Sequence, residues 1–420
     1  MDGPGWRCIS RRCSPRDDGS GREEIDVKVL IVGAGIAGPT LAFWLNKLHH
    51  DVTIVEHAPA LRTGGYLIDF WGAGFDVAER MGIVPQLRTR GYVFTEARAI
   101  DRNGRRIASF NPEAVIESND RYLSIPRTDL AQVVYDSIDG AVELMLGDTV
   151  RELADDGDRV HVTFEKGSVR DFDLVIGADG LHSRVRELTF GPDELFEKYL
   201  GMVVAAFEVE RYPERDELVA MMYAEVGFQA VRLSFREDAT LLLFSLRHDG
   251  EVPAQRPAQE GLLREKLEGS GWEVPEMLAA MSRAENFYFD SVSQITMQSW
   301  STGRVALVGD AGACPSFLAG QGTALAMVEA YTLAAELART NDHTEAFTRY
   351  HERLAPLIRS KQDAARGLGL AFAPKNRLQL LTRNTALTMM GLPKVAGIAM
   401  GRSFHDRVEL PPFPEQTSAH

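Results

Sequence analysis

The sequence predicts an α/β protein in which a parallel-sheet domain is interrupted by a second domain built on an antiparallel or mixed sheet. Runs rich in Val, Ile and Leu at residues 27–32, 173–176 and 304–308 are typical of strands buried on both faces of a parallel sheet. Between the last two runs, residues 195–296 alternate apolar and polar positions, as half-buried antiparallel strands do. Residues 343–372 then place apolar side chains at helical spacing, which predicts one long helix.

The first run opens a βαβ unit. It leads into Gly33-Ala34-Gly35-Ile36-Ala37-Gly38, an apolar helix over 39–48 and a second strand over 51–55 that ends at Glu56. In such a unit the first glycine allows a tight turn, the second lets the backbone approach a pyrophosphate, and the third lets helix and strand pack closely. A carboxylate at the tip of the second strand can bind a ribose hydroxyl pair. These features predict a Rossmann-like dinucleotide-binding domain, with a purely structural glycine loop as the alternative.

Arg127 follows a predicted strand over 122–125 and lies in the first turn of a helix. A cation at a helix N-terminus opposes the helix dipole, so it usually needs an anion nearby. We therefore expect Arg127 to contact the cofactor phosphates or the edge of its reactive ring. The alternative is a surface ion pair with Asp129 or Glu96.

Two further motifs end buried strands. Gly177-Ala178-Asp179-Gly180 is followed by Ser183, Arg184 and Arg186, and Gly309-Asp310-Ala311-Gly312 is followed by Gly320-Gln321-Gly322 at the start of a helix over 323–337. Ligands of open α/β sheets bind at the carboxyl ends of strands, where Asp310 can accept hydrogen bonds from polyol hydroxyls. The N-H groups at the start of the helix over 323–337 favour negative charge on a ligand. An ordinary strand-to-helix turn also explains the first motif.

The pattern divides the chain into domains. We expect a disordered leader over 1–24, a dinucleotide-binding domain over 25–195 plus 296–342, a substrate domain over 196–295, a bridging helix over 343–374 and a C-terminal tail over 375–420. Turn signals at 101–104, 155–157 and 165–167 predict hairpins attached to the first domain.

Composition excludes several classes of partner. The chain of 420 residues has 46 basic and 60 acidic residues, a net charge of -14, which repels nucleic acid and anionic lipid. Its 3 cysteines are too scattered for a disulfide framework. No apolar run reaches the ~20 residues of a membrane span. We expect a cytoplasmic monomer or homodimer with no nucleic-acid partner, no membrane partner and no metal.

Together the glycine fingerprint and the two Asp motifs resemble the p-hydroxybenzoate-hydroxylase-like family of single-component flavin monooxygenases, over roughly residues 27–372. The resemblance implies bound FAD, transient reduction by NADPH or NADH, and a C4a-hydroperoxyflavin that oxygenates an electron-rich ring with O2. It implies that Glu56 binds the adenosine ribose, that Arg127 and Asp179 lie along the pyrophosphate and nicotinamide approach, and that Asp310 binds the ribityl chain. The residues expected to contact the cofactor are Gly33, Ala34, Gly35, Ile36, Ala37, Gly38, Glu56, His57, Gly64, Gly65, Arg127, Val150, Asp179, Gly180, Asp310, Ala311, Gly320, Gln321, Gly322 and Thr323.

A narrower likeness involves residues 35–39, 64–69, 287–290 and 346–350, which are similar to those of tetracycline-inactivating and polyketide-tailoring monooxygenases. It implies hydroxylation of an aromatic or polycyclic, polyketide- or tetracycline-like substrate. The alternatives are an FAD-dependent epoxidase or other oxidative ring-modifying enzyme, and a binding protein that keeps the fold without turnover.

The pocket for such a substrate must exclude water and is expected to be apolar. No side chain is identified as a catalytic base, because the oxygen chemistry belongs to the cofactor. The sequence departs from the family pattern at Ala313, Phe317 and Ala324, which changes the side chains expected beside the flavin. The residues expected to line the pocket are Phe70, Trp71, Met222, Phe228, Phe244, Phe317 and Phe372.

Overall fold

The computed structural model describes residues 27–61, 66–113, 120–138, 140–213, 216–235, 239–390 and 408–414. Gly64 and Gly65, the expected leader and part of the expected tail lie outside these residues.

The chain opens with the predicted βαβ unit and continues with helices and short strands. In chain order they are β1 (Lys28–Val32), α1 (Ala37–Lys47), β2 (Asp51–Glu56), β3 (Leu67–Trp71), α2 (Ala73–Met81), α3 (Val84–Arg90), β4 (Glu96–Ile100), β5 (Arg106–Phe110), β6 (Tyr122–Pro126), α4 (Arg127–Asp136), β7 (Glu143–Leu146), β8 (Val150–Asp155), β9 (Val160–Phe164), β10 (Val169–Phe172), β11 (Leu174–Gly177) and α5 (Arg184–Phe190).

Long strands then dominate until the chain returns to the first sheet. These elements are β12 (Glu197–Glu210), β13 (Val219–Glu225), β14 (Phe228–Ser234), β15 (Ala239–Arg247), α6 (Arg256–Leu267), α7 (Val274–Met281), β16 (Phe287–Ile295), β17 (Ser301–Thr302), β18 (Val305–Leu307), α8 (Asp310–Ala313), α9 (Gly322–Leu337), α10 (His343–Phe372) and α11 (Arg377–Met390).

Within the described residues, the first sheet has six strands in the order β17-β18-β11-β1-β2-β7, parallel from β18 to β7. β1 lies between β2 and β11, which explains why its residues read as a continuous apolar run. The order means that β18 reaches the sheet from a distant part of the sequence, beside β11. The carboxyl ends of β1, β11 and β18 therefore bring the glycine, Asp-Gly and Gly-Asp motifs to one edge, and the predicted α/β class is confirmed.

The second sheet has seven described strands in the order β16-β12-β15-β14-β13-β4-β5 and is mixed, because β13 and β4 run parallel. Its outer face is covered by α6 and α7, and its inner face meets the loop around Leu318 and the end of α10. The β4–β5 hairpin, which the turn signal at 101–104 predicts correctly, belongs to this sheet and not to the first domain. Sequence position alone had placed it wrongly, since its pairing partner β13 comes more than 120 residues later, with Val219 opposite Glu96.

The long helix α10 has the bounds that the sequence predicts. Its first half packs Phe347, Tyr350 and Leu354 into the core of the first domain. Its second half contributes Ala365 and Phe372 to the cluster on the inner face of the second sheet. It therefore bridges the two cores, as expected.

The residues after α10 contact both the second sheet and the first domain. Arg383 of α11 donates to the Ala371 carbonyl and to Gln229 of β14. Farther on, Phe413 packs 4.7 Å from the Trp44 ring, against α1. In the part of the chain that the structure describes, no helix combines the length and apolar character needed to cross a bilayer.

Candidate functional site

The glycine loop after β1 has no room for side chains at two positions. A Cβ on Gly38 would lie 2.0 Å from the Gly33 carbonyl oxygen, and one on Gly33 would lie 2.5 Å from the Ala178 carbonyl oxygen. Gly33 also has φ of +109°, a conformation that favours glycine. The start of α1 is thereby pressed against the ends of β1 and β11, with no side-chain cap on its N-terminal N-H groups.

Glu56 closes this loop at the tip of β2. Its carboxylate accepts hydrogen bonds of 2.9 Å from the backbone N-H groups of Ala34 and Ala58. The side chain thus lies against the glycine fingerprint, as a ribose-binding carboxylate must. His57, next to it, is exposed.

Arg127 lies beside the same loop. Its Nη2 atom is the nearest group, at 3.9 Å, to a Cβ placed on Gly35, and its guanidinium lies 6.0 Å from the centre of the Tyr66 ring. Its positive charge lowers the pKa of Asp310, although burial has the larger effect and raises that pKa overall. Of the two surface partners considered for Arg127, Glu96 pairs with Arg98 at 2.7 Å. Burial raises the pKa of the other, Asp129, and the positive charge of Arg90 partly offsets that rise.

The carboxylate of the Asp-Gly motif is hydrogen-bonded by the residues that follow the motif. Asp179 accepts hydrogen bonds from Ser183 Oγ at 2.6 Å and from the Val185 N-H at 3.0 Å. Burial nonetheless raises its pKa. These bonds fix the turn into α5, which gives Asp179 a local structural role in addition to any ligand contact. Gly180 is left facing open space, because nothing lies within 4 Å of a Cβ built on it.

The N-terminus of α9 faces the Gly-Asp motif. A Cβ on Gly322 would lie 3.8 Å from Asp310 Oδ1, and α9 has no side-chain cap at Gln321. The Gln321 side chain is buried, and its Nε2 atom has no hydrogen-bond partner among the described residues. A buried amide without a partner costs free energy, so a bound polar group is expected there. The uncapped helix ends, the glycine cradle and this amide fit a flavin dinucleotide.

The remaining expected cofactor residues have varied environments. Ala311 is fully buried, Thr323 is half-buried in the first turn of α9, and Gly320 adopts a positive φ with open space around it. Val150 is fully buried in a core cluster with Val55 and Phe164.

Four aromatic side chains gather where the first sheet's edge meets the second sheet, and we name them the aromatic junction: Tyr66, Tyr288, Phe317 and Phe372. The Tyr66 ring lies 5.0 Å from that of Tyr288 and 6.1 Å from that of Phe317, which is 5.9 Å from Phe372. Arg127 and Asp310 both act electrostatically on the two tyrosines. The junction therefore combines an apolar wall with the charged edge of the cofactor site.

Sequence reasoning did not select Tyr288 of the junction or the two residues that follow it outward, Asp290 and His182. Tyr288 donates to Asp290 Oδ2 at 3.3 Å, and His182 Nε2 is 3.3 Å from Asp290 Oδ1. Burial raises the pKa of Tyr288 well above its usual range, while Asp290 raises that of His182, whose side chain is 59% exposed. A hydrogen-bonded path thus leads from the junction to solvent. The only signal for it was the 287–290 likeness, which did not reveal the partner His182.

The expected pocket residues separate into different environments. Met222, Phe317 and Phe372 lie in the inner-face cluster. Phe228 and Phe244 lie on the outer face and pack as core under α6 and α7, so the structure does not bring them to the others. Phe70 is fully buried in the first domain, packed against Phe75, and Trp71 is buried beside it on β3.

The outer face carries a separate open cleft of about 650 Å³. Arg98 and Arg232 in its wall pair with Glu96 and Glu273, each at 2.7 Å. Because the cleft lies across the sheet from the edge where the glycine and Gly-Asp motifs meet, it is not the candidate active site.

The similarity of this chain to known proteins covers strands of both sheets. The sequence matches the family described as FAD binding domain over residues 26–363. An uncharacterised protein of Mycobacterium tuberculosis (strain H37Rv) is 39% identical over 344 residues, or 80% of this chain and 91% of that protein. A flavin-dependent monooxygenase from an unknown prokaryotic organism is 35% identical over 339 residues, or 80% of this chain and 87% of the relative. The crystal structure of tetracycline destructase Tet(55) is similar with a TM-score of 0.78 and 30% identity, covering 92% of this chain and 98% of that one.

Proposed function

This chain belongs to the FAD binding domain family and is an FAD-dependent monooxygenase of the p-hydroxybenzoate-hydroxylase-like type, and we propose that it uses NAD(P)H and O2 to hydroxylate an aromatic or polycyclic phenol. Bound FAD, once reduced, supplies the oxygen chemistry. The observation that supports an aromatic substrate is the aromatic junction, which lies beside the charged groups of Arg127 and Asp310.

The cofactor is held by groups at the ends of four strands, β1, β2, β6 and β18. Glu56 binds the adenosine ribose, and the loop Gly33–Gly38 with Arg127 binds the pyrophosphate. Asp310 binds the ribityl chain, and Gln321 donates from its buried Nε2 to the flavin ring. The close backbone packing at Gly38 and the amide without a partner support these assignments.

The aromatic junction binds the flat face of the substrate and excludes water. Stacked or edge-on ring contacts suit a planar polycyclic phenol, since aromatic pairs prefer ring centres roughly 4.5–7 Å apart. The similarity to a tetracycline destructase supports a tetracycline- or polyketide-like ring system.

Tyr288 accepts the proton of the substrate hydroxyl at Oη as it passes its own proton to Asp290 Oδ2. Asp290 returns to the carboxylate by giving a proton to neutral His182 at Nε2, and His182 releases a proton to solvent. A phenolate is more electron-rich than a phenol, so this transfer favours attack on the ring. The two 3.3 Å contacts and the exposure of His182 support this path.

The experiment is anaerobic reduction of the purified flavoprotein by NADPH or NADH in a stopped-flow spectrometer, with and without phenols, anthracyclines and tetracyclines. We expect one ligand class to accelerate flavin reduction and to yield an oxygenated product when air is admitted. A flavin that stays oxidised with every ligand and both nicotinamides would contradict the proposal and favour a binding role.

A further inference from the structure

Glu329 is a carboxyl group buried in the middle of α9, with 1% of its surface exposed. Its Oε2 atom accepts a hydrogen bond of 2.7 Å from the Gly309 N-H and one of 3.1 Å from the Tyr350 hydroxyl. Tyr350 belongs to the bridging helix α10 and also lies 3.2 Å from the Leu307 carbonyl oxygen. One side chain thus connects the end of β18, the start of the Gly-Asp motif and two helices.

No Lys or Arg of the described chain pairs with Glu329. Glu336, farther along the same helix and equally buried, pairs with Arg353 at 2.9 Å and with Arg339 at 3.6 Å. Burying a polar group costs free energy unless hydrogen bonds compensate for the lost water. The hydrogen bonds from Gly309 and Tyr350 offset the loss of water around Glu329. The burial of Glu329 therefore depends on its contact with the Gly-Asp loop.

Gly309 is the residue whose orientation decides where Asp310 points. It has φ of +63°, and a Cβ on it would lie 3.3 Å from Ala37 Cβ and 3.4 Å from Ala326 Cβ. The loop is therefore confined between α1 and α9. Its N-H group, held by Glu329, fixes the plane of the Val308–Gly309 peptide, from which the φ and ψ angles of Gly309 lead to Asp310.

We propose that Glu329 is a positioning residue for FAD: by accepting the Gly309 N-H it holds the Asp310 carboxylate toward the ribityl chain, and through Tyr350 it couples that orientation to the bridging helix. The inference rests on the proposed contact between Asp310 and FAD.

The charge state of Glu329 agrees with this role. Burial, with a smaller effect from the nearby Asp310 charge, raises its pKa to about 8. At pH 7 the group is therefore mostly neutral, which avoids repulsion with Asp310. A glutamine of the same shape keeps an acceptor for the Gly309 N-H, so Glu329→Gln is the conservative variant.

The test measures FAD released when each holoenzyme is serially diluted, from the recovery of flavin fluorescence. Glu329→Leu is expected to raise the Kd for FAD about tenfold, the effect of one lost hydrogen bond in a buried site. Glu329→Gln should stay within about twofold of the wild type, since the acceptor is kept. Because Glu329 acts through Asp310, Glu329→Leu combined with Asp310→Ala should bind FAD no more weakly than Asp310→Ala alone.

Two results would overturn the inference: an unchanged Kd for Glu329→Leu, or effects of the two substitutions that multiply. If Asp310→Ala itself leaves the Kd unchanged, the proposed Asp310 contact fails. If Asp310→Ala weakens binding and Glu329→Leu does not, only the positioning role fails.

The matched control is Glu336→Leu, which removes another buried carboxyl that links α9 to α10. It should lower the Tm and leave the Kd for FAD within about twofold, since it does not touch the Gly-Asp loop. Should Glu329→Leu not fold, Tyr350→Phe takes its place. It removes one donor to Glu329 and should raise the Kd about threefold, again without adding to Asp310→Ala.

Discussion

The guanidinium of Arg186 donates a hydrogen bond of 2.6 Å to the Ala311 carbonyl oxygen, joining the helix after the Asp-Gly motif to the loop of the Gly-Asp motif. The same fully buried side chain donates to the Leu181 carbonyl at 2.6 Å and to Asp193 at 2.7 Å. The two sheet-edge motifs are thus held together by Arg186, which the sequence shows only as one of the residues that follow the Asp-Gly motif.

Replacing this link should destabilise the protein strongly. Arg186→Met leaves two carbonyls and Asp193 without their donor, and we expect the free energy of unfolding to fall by about 3–5 kcal/mol. Arg184→Met is the control, because Arg184 lies in the same helix but is 41% exposed and pairs with Glu187 on the surface. That change should cost less than about 1 kcal/mol. Urea unfolding of both variants measures the difference, and similar losses would contradict the structural role of Arg186.

The third glycine of the fingerprint should tolerate no side chain. The methyl group of Gly38→Ala would lie 2.0 Å from the Gly33 carbonyl oxygen, so α1 has to move away from β1. We expect the purified variant to carry little or no FAD, measured as flavin absorbance per protein. Gly261→Ala on the exposed surface of α6, where nothing lies within 4 Å, should keep its full flavin content. Full occupancy of Gly38→Ala would rule out the steric argument.

The two faces of the second sheet should respond differently to loss of a ring. Phe372→Ala opens the aromatic junction and should raise the KM of the accepted substrate roughly tenfold, with a small change in stability. Phe244→Ala leaves a cavity under α6 and α7 and should lower the free energy of unfolding by about 3–5 kcal/mol, with kcat/KM per bound flavin unchanged. Steady-state kinetics and urea unfolding of both variants separate these effects. A raised KM in Phe244→Ala alone would reverse the assignment of the faces.

Glu329 should make stability depend on pH. Its pKa is about 8 in the folded protein and near 4.5 when unfolded, so the folded state retains a proton that the unfolded chain releases. The stabilisation is complete below about 4.5 and declines as the pH rises to about 8. Glu329→Gln has no such group, so its stability relative to the wild type should increase between pH 5.5 and 8.5. A difference in unfolding free energy that stays constant over this range would show that Glu329 does not titrate there.

Breaking the path from the junction to solvent should slow turnover without releasing the cofactor. Asp290→Asn cannot take up the Tyr288 proton as a carboxylate does, so we expect kcat to fall at least about tenfold while the Kd for FAD stays constant. Asp363→Asn, an exposed carboxylate on the bridging helix, is the control for loss of one charge and should retain kcat. An unchanged kcat in Asp290→Asn at every pH would exclude the path.

Local sequence determined the parts of this protein that depend on neighbouring residues. The buried β1 run, the glycines at 33, 35 and 38 and the apolar periodicity of 343–372 each encode their own element, because hydrophobic period and glycine conformation act over a few residues. The α/β class and the long bridging helix followed from them and are confirmed.

Only the tertiary structure decided which elements meet. Alternation along β14 and β15 indicates two faces but not which one is covered by α6 and α7, so Phe228 and Phe244 were grouped with Phe317. The aromatic junction, the Asp290 path to His182 and the Glu329 contact with Gly309 join residues far apart in sequence. Such contacts depend on the packing of whole elements, for which no local pattern in the chain carries a signal.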